Sequence, residues 1–400
     1  MNFMVKWKKM WEVTTWDKRF NGIDKSMQPK IIKYHYYLAN ELSDIECPNG
    51  DIRILYTTDK IAFTDSEKVL DNISEGEVVT IPWGGNVSIK YFKGKFVTAD
   101  NRIATSIDTS ILNNKFLFYW MLSQKDVIES FYRGAGIKHP SMQSVLSMPI
   151  PLPSLSEQER IVGILDKFAE SIDNLQEQIK ERQKQYAYLI DNAFGGTLAE
   201  MKEKAEEGEL LIEPLSAHGT FTRGRRFVRK DVVDDGQPCI HYGDMYTYYG
   251  LCADKANTHL PYDFPKKMRY AKKGDVVIVG AGENNEDIAV GLVWLGDEPA
   301  AVHDACYIYE SDFEPMFLSY FLRSGIYHLQ IKSHVVRGKI CSISSDGIGK
   351  ALIPIYPIEK QKEIVKKLLP FEKLLANLKE QLELRQKQYD YYRNKLLNFE

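Results

Sequence analysis

The densest group of anion-binding residues is a basic run near the middle of the chain. Residues 223–230 read Arg-Gly-Arg-Arg-Phe-Val-Arg-Lys, five positive charges in eight positions, and His241 and Tyr242 follow soon after. Guanidinium groups suit phosphate oxygens and the O6/N7 edge of guanine, and glycine lets a backbone approach a phosphate closely. The run indicates a nucleic-acid contact, although a solvated basic turn would have the same composition. The candidate DNA-binding residues of this half are Arg223, Arg225, Arg226, Arg229, Lys230, His241, Tyr242, Asn284, Arg337 and Lys339.

Fewer such residues occur in the first half of the chain. An asparagine can pair with adenine, and arginine or lysine can bind phosphate or guanine. For each residue taken singly, a surface or core role is the simpler interpretation. The candidates here are Trp83, Asn86, Arg102, Arg133 and Lys138.

Sequence motifs of catalysis are missing. The chain contains no GxxxxGK, HExxH or GxSxG motif, and no Asn/Asp-Pro-Pro-Tyr/Phe run of the kind that amino-methyltransferases use. Asp191 with residues 200–202 weakly suggests a nuclease pattern, but these residues fall on a helix end and a linker. The five cysteines are widely spaced and lack zinc-site spacing. These motifs therefore identify no catalytic residue, and we expect no metal site.

Composition sets broader limits. The 400 residues are too many for one core, and the chain is 44% hydrophobic and 27% charged, as in globular proteins. A net charge of −3 argues against non-specific coating of nucleic acid but allows a local basic face. No apolar run reaches about 18 residues, so we expect no membrane span. The odd number and wide spacing of the five cysteines predict reduced thiols in a cytoplasmic protein, and the N-terminus lacks the apolar core of a secretory signal.

An internal repeat determines how the chain is organised. Residues 151–194 and 354–397 align without a gap at an offset of 203, with 16 of 44 pairs identical. The longest identical run joins Arg182–Tyr186 to Arg385–Tyr389. A repeat of this length predicts two similar halves.

Each repeat predicts a long helix, over 154–195 and 354–400. Apolar residues recur at steps of four and three, which is a heptad seam. Matching seams in one chain favour pairing of the two helices, and a two-fold relation would make the pair antiparallel. Pro370 predicts a kink or the start of a new helix. The seam residues are Leu165, Phe168, Ile172, Leu175, Ile179 and Arg182 in the first copy and Leu368, Phe371, Leu375, Leu378, Leu382 and Arg385 in the second.

The remaining segments, 1–153 and 196–353, predict two mixed α+β domains, with 196–213 as an acidic linker. Both share weak features in the same order: a glycine-rich turn, an aspartate, an Arg-Gly pair and a strand that contains proline. Proline in such strands indicates edge positions. Outside this framework the halves differ strongly, as expected if each binds a different target on a common scaffold.

The runs Pro151–Val162 and Pro354–Val365, together with residues 219–244, resemble the specificity (S) subunit of type I restriction–modification enzymes. The resemblance covers nearly the whole chain. It implies an α+β protein in which two target-recognition domains alternate with two long helices, paired as an antiparallel coiled coil with pseudo-two-fold symmetry. Each domain would read one half of a bipartite double-stranded DNA target, and the helices would set the gap.

The same resemblance implies that this chain is a non-catalytic subunit and carries no cofactor. Two methyltransferase (M) subunits would bind S-adenosylmethionine and methylate adenine, and restriction (R) subunits would use ATP and Mg to cleave DNA. Three alternatives remain: a DNA-recognition subunit of a methylation-only or type IIB-like system, a self-contained nuclease or methyltransferase of unusual motif, and a coiled-coil scaffold that binds proteins.

Overall fold

The chain divides into two compact units, each with one globular domain. Unit 1 comprises Met1–Leu175 and Gln381–Glu400, and unit 2 comprises Gln176–Glu380. Each unit therefore contains the N-terminal part of one of the two long repeat helices and the C-terminal part of the other. The computed structural model describes residues 5–69, 72–265, 267–282 and 288–399.

The two repeats form helices of equal length, Leu155–Ala193 and Ile358–Leu396, each of 39 residues. At 1.5 Å per residue each is about 58 Å long. The second helix continues through Pro370, so the predicted alternative of a new helix starting there is wrong. Pro370 is exposed, and water can reach the carbonyl that its missing N–H leaves unpaired. A kink at this residue stays a prediction.

Most predicted seam residues are shielded from solvent. The buried ones are Leu165, Ile172, Ile179, Leu368, Leu375 and Leu378, and the half-buried ones are Phe168, Leu175, Phe371 and Leu382. In unit 1, Phe168 stacks on Tyr392 at 5.3 Å between ring centroids. The two seam arginines differ: the Arg385 guanidinium lies 5.7 Å from the Phe168 ring centroid, whereas Arg182 is exposed and donates to Gln185 at 2.7 Å.

Unit 1 is built on a six-stranded sheet. Its neighbours pair antiparallel except for Ile52–Leu55, which runs parallel to Lys90–Thr98. The strand order is Thr14–Trp16, Asn101–Ser106, Ser74–Pro82, Lys90–Thr98, Ile52–Leu55 and Ile61–Thr64. Two-stranded pairs join Lys6–Lys9 to Pro149–Leu152 and Tyr132–Arg133 to His139–Pro140. The helices outside the repeats are Met10–Val13, Lys25–Met27 (3₁₀), Ala39–Asp44, Ser66–Val69, Asn114–Ser123, Lys125–Ser130 and Met142–Ser147.

Unit 2 contains two sheets of four or more strands. The five-stranded sheet has the order Gly219–Arg223, Cys306–Ser311, Val276–Val279, Gly291–Trp294 and Cys252–Ala253. The four-stranded sheet has the order Thr258–Leu260, Gln237–Ile240, Ala300–Val302 and Tyr270–Ala271. Two-stranded pairs join Ile212–Pro214 to Leu352–Pro354 and Ala281–Gly282 to Cys341–Ser342. The helices outside the repeats are Leu198–Glu206, Leu215–Ala217 (3₁₀), Arg229–Asp231 (3₁₀), Asp244–Thr247, Pro315–Phe321, Gly325–Ile331 and Ser345–Gly349.

The two strands predicted from their prolines, Pro149–Leu152 and Leu352–Pro354, each belong to a two-stranded pair, which confirms the predicted edge positions. The segment predicted as a linker, 196–213, contains the helix Leu198–Glu206. The helix starts with a capping box of Thr197 and Glu200, and its Met201 is fully buried in the core of unit 2. Among the described residues, no helix is both long and apolar enough to span a membrane.

Candidate nucleic-acid interface

In unit 1, a hairpin packs against the glycine-rich turn at the end of strand Ser74–Pro82. The His139 ring lies 5.2 Å from the Trp83 ring, and His139 Nδ1 is 2.7 Å from the Trp83 carbonyl oxygen. The Gly85 N–H donates to the Lys138 carbonyl at 3.0 Å. A Cβ on Gly84 would lie only 2.8 Å from the Ile137 side chain, so a side chain there would push the hairpin away.

These contacts bring four of the five predicted residues of the first half together. Asn86 is the residue after Gly85, whose N–H binds the carbonyl of Lys138. Arg133 pairs with His139 across the hairpin. Asn86, Arg133 and Lys138 are exposed, and Trp83 is half-buried beneath them. We call this group, with His139, the unit 1 surface. It presents amide, cationic and aromatic groups side by side.

Arg102, which the sequence predicted as a DNA contact, is mostly buried. Its side chain is 3% exposed and pairs with Asp100 at 2.7 Å and Asp17 at 3.4 Å. The guanidinium lies 4.3 Å from the Trp83 ring centroid. Arg102 is buried because Asn101–Ser106 is an interior strand of the sheet, between Thr14–Trp16 and Ser74–Pro82. It therefore packs against Trp83, and it also lines the pocket of about 590 Å³ described next.

Two basic residues beside the unit 1 surface, Lys18 and Arg19, were not predicted from the sequence. Lys18 and Arg19 line a pocket of about 590 Å³ together with Trp83 and Asp100. Lys18 Nζ is 3.9 Å from the Asp100 carboxylate, and Arg19 is exposed. Their position along the chain could have indicated them. Lys18 and Arg19 follow an edge strand, just as Arg225 and Arg226 follow the edge strand Gly219–Arg223.

The basic run of unit 2 is anchored through its backbone. The Gly224 N–H donates to the Cys306 carbonyl and the Arg225 N–H to the Val302 carbonyl, both at 2.9 Å. A Cβ on Gly224 would lie 2.2 Å from the His303 carbonyl oxygen, so only glycine fits. Phe227 is fully buried and anchors the run to the domain, whereas the charged side chains of the run are exposed. The exposed members are Arg223, Arg225, Arg226, Arg229 and Lys230.

Behind the run lies a cluster of aromatic and imidazole rings. The His241 ring is 4.7 Å from the His303 ring and 4.7 Å from the Tyr242 ring, and Phe227 is 5.1 Å from His303. Burial lowers the pKa of His241, and the nearby Arg229 lowers it further. Burial also lowers the pKa of His303, as does its neighbour His241. Both imidazoles are therefore neutral at pH 7, and the positive charge of this surface comes from the run itself.

A loop that carries Arg337 and Lys339 borders the same surface. Both residues are exposed, and the loop is closed by the pairing of Val336 with Ser342. A pocket of about 310 Å³ is lined by Arg223, Asp304 and Val336 among others, which places the loop next to the basic run. We call the run, the ring cluster and this loop the unit 2 surface. Predicted Asn284 lies outside the described residues.

The two surfaces are built from equivalent parts. In unit 1 the hairpin Tyr132–Arg133 and His139–Pro140 covers the turn after Ser74–Pro82. In unit 2 Cys341–Ser342 pairs with Ala281–Gly282, just after Val276–Val279. Each has a basic residue next to an aspartate, Lys18 with Asp100 and Arg223 with the Asp304 carbonyl at 2.8 Å. The exposed side chains on this common framework differ.

No group of three His, Cys, Asp or Glu side chains among the described residues could hold a metal ion. Asp191, the residue of the weak nuclease pattern, accepts hydrogen bonds from the N–H groups of Gly325 at 2.9 Å and Ile326 at 3.4 Å. It thereby caps the helix Gly325–Ile331, which is a structural role.

Comparison with known sequences gives a consistent result. A model of the type I restriction modification DNA specificity domain matches residues 30–184 and 221–384. The chain is 26% identical over 322 residues to the EcoR124I/EcoR124II specificity subunit of Escherichia coli, covering 77% of this chain and 76% of that protein. It is 24% identical over 331 residues to the MjaVIII specificity subunit of Methanocaldococcus jannaschii, covering 78% and 76%.

Solved structures share the fold. The type I restriction–modification S subunit from M. genitalium superposes with a TM-score of 0.62 at 16% identity, covering 99% of this chain and 97% of that one. A chain from a structural study of complex assembly in the type I R-M system gives 0.51 at 14% identity, covering 98% and 97%. These likenesses support the α+β fold with long helices.

Proposed function

Because this chain belongs to the family of type I restriction–modification specificity subunits, we propose that its two surfaces read the two halves of a bipartite DNA target. The unit 1 surface would read one half and the unit 2 surface the other. Cationic side chains on both would contact phosphates, which positions the protein, and the amide, imidazole and arginine groups would contact base edges, which selects sequence.

One observation carries this proposal: a common framework presents two different sets of exposed side chains. Unit 1 offers Asn86, Arg133 and Lys138, and unit 2 offers the basic run with Arg337 and Lys339. A repeated scaffold with unlike surfaces suits an asymmetric target of two half-sites. A coiled-coil scaffold for protein binding would not require exposed basic side chains beside a turn in both units.

The long helices would set the gap between the half-sites, and the partner subunits would supply the chemistry. Two M subunits would carry S-adenosylmethionine and methylate adenine, and R subunits would carry ATP and Mg and cleave DNA. In this arrangement the chain itself is not an enzyme. If the purified chain alone transfers a labelled methyl group from S-adenosylmethionine to DNA, this division of labour is wrong.

Charge reversal in the unit 2 surface tests the proposal. Arg225→Glu with Arg229→Glu should weaken DNA binding by the complex with its methyltransferase partner. The plot of log K against the logarithm of the salt concentration should become shallower by about one unit of slope for each phosphate that the protein no longer neutralises. Lys202→Glu with Lys379→Glu is the matched control, since both lysines are exposed in unit 2 and lie on helices that are not part of this surface. Equal affinity and slope in the two double variants would exclude the basic run as a DNA contact.

A further inference from the structure

A buried glutamine lies near the start of each long helix. Gln158 is 0% exposed and Gln361 is 4% exposed. The two positions differ by the repeat offset of 203 and are one of the sixteen identical pairs. A buried amide is unfavourable unless its donors and acceptor are hydrogen-bonded, so its partners show what it holds in place.

In unit 1, Gln158 joins three segments of chain. Its Oε1 accepts from the Asn113 N–H at 2.9 Å, and its Nε2 donates to the carbonyls of Ile111 at 2.8 Å and Pro153 at 3.0 Å. Asn113 is the N-cap of the helix Asn114–Ser123, which packs on the sheet. Pro153 immediately follows the edge strand. One amide thus connects the long helix, the edge strand and a helix of the recognition domain.

Unit 2 repeats this connection with different neighbours. Gln361 Oε1 accepts from the Glu314 N–H at 2.8 Å, and its Nε2 donates to the Tyr356 carbonyl at 2.8 Å. Glu314 is the N-cap of the helix Pro315–Phe321, and Tyr356 is the repeat counterpart of Pro153. Two of the three backbone atoms that Gln158 contacts, those of Asn113 and Pro153, have these equivalents in unit 2, although the side chains that surround the glutamine differ.

A second bond, farther along each long helix, restricts rotation about the first. In unit 1 the Asp166 carboxylate accepts from the Tyr119 hydroxyl at 2.6 Å and from Lys115 Nζ at 2.8 Å. In unit 2 the Glu372 carboxylate accepts from the Tyr320 hydroxyl at 3.1 Å. Two points of attachment fix both the origin and the direction of a helix on its domain.

The length of the helix makes this direction important. A tilt of about 5° at one end of a helix about 58 Å long displaces its other end by about 5 Å. That displacement exceeds the roughly 3.4 Å that separates neighbouring base pairs along DNA. With a loose attachment, the distance between the two recognised half-sites would therefore vary by a base pair or more.

We propose that Gln158 and Gln361 are positioning residues that hold each recognition domain at a fixed angle to its long helix and so make the complex selective for one gap length. This inference rests on the proposed function. It assigns gap selectivity to the attachments at the helix starts in addition to the length of the helices.

The test uses the complex with its methyltransferase partner and DNA that carries both half-sites, identified beforehand by sequencing methylated adenines in the host genome. The gap is natural, one base pair shorter or one base pair longer. In Gln158→Met and Gln361→Met, methylation at the altered gaps relative to the natural gap should rise about fivefold, the effect of losing buried hydrogen bonds without changing side-chain length. Gln183→Met and Gln386→Met are matched controls, because these glutamines form another identical pair of the repeat but are exposed.

A role in stability alone predicts a different result: methylation at all three gaps would fall together, the ratio would stay constant, and the proposal would be overturned. If the Met variants do not fold, Tyr119→Phe and Tyr320→Phe decide, since each removes a hydroxyl bond of the second attachment, leaving the Lys115 ion pair with Asp166 in unit 1, and should raise the same ratio to a smaller extent. If the wild-type complex modifies no bipartite target, the proposed function itself fails.

Discussion

Individual side chains in this protein divide into those that face solvent and those that support them. Arg133 and Lys138 are exposed, whereas Arg102 lies beneath Trp83 with Asp17 and Asp100. Residue type could not separate these roles, because arginine serves equally as a phosphate ligand and as a buried partner of carboxylates. The distinction came from the place of Asn101–Ser106 inside the sheet. We therefore expect Arg102 to contribute to the folding stability of unit 1.

A substitution at Arg102 measures this role. Arg102→Met should destabilise unit 1 by about 3–5 kcal/mol, because the Asp17 carboxylate would stay buried without its cation. Arg133→Met, which removes an exposed arginine, should change stability by less than about 0.5 kcal/mol. Urea unfolding followed by tryptophan fluorescence compares them. Equal unfolding midpoints would mean that the Arg102–Asp17 pair contributes no net stability.

At the scale of elements, the sequence predicted regular features well and context-dependent ones poorly. The heptad seam located both long helices to within a few residues, because apolar spacing over many turns is a strong local signal. Pro370 suggested a kink or the start of a new helix. The helix continues through this exposed residue, where water can bind the carbonyl left without a backbone N–H partner. The acidic composition of 196–213 indicated a solvated linker, yet Met201, with Leu198 beside it, packs its helix onto the core of unit 2.

Truncation of Met201 tests whether this helix is part of the core of unit 2. Met201→Ala should lower the free energy of unfolding by about 2–5 kcal/mol, as expected for a fully buried methionine. Lys202→Ala, at the next and exposed position of the same helix, should have little effect. The comparison requires thermal or urea unfolding of both variants. A loss below about 0.5 kcal/mol for Met201→Ala would show that the helix behaves as a solvated connector.

For the molecule as a whole, the repeat was the decisive sequence feature, and the surfaces were the least predictable. The repeat predicted two halves, and each compact unit does contain opposite ends of the two helices. The grouping of Trp83, Asn86, Arg133 and Lys138 could not be read from the sequence. It depends on a hairpin that folds back onto a turn far earlier in the chain, and no local pattern encodes that contact.

This organisation predicts that the two surfaces act independently. Arg133→Glu with Lys138→Glu in unit 1 should relax or weaken recognition of one half-site, and Arg225→Glu with Arg229→Glu in unit 2 should affect the other. Since the substituted residues lie in separate units, the free-energy losses should add within about 0.5 kcal/mol in the quadruple variant. DNA binding by the complex with its methyltransferase partner, measured on targets altered in one half-site at a time, gives each loss separately. If both pairs of substitutions affect the same half-site, or if their effects fail to add, the two units do not read DNA as independent surfaces.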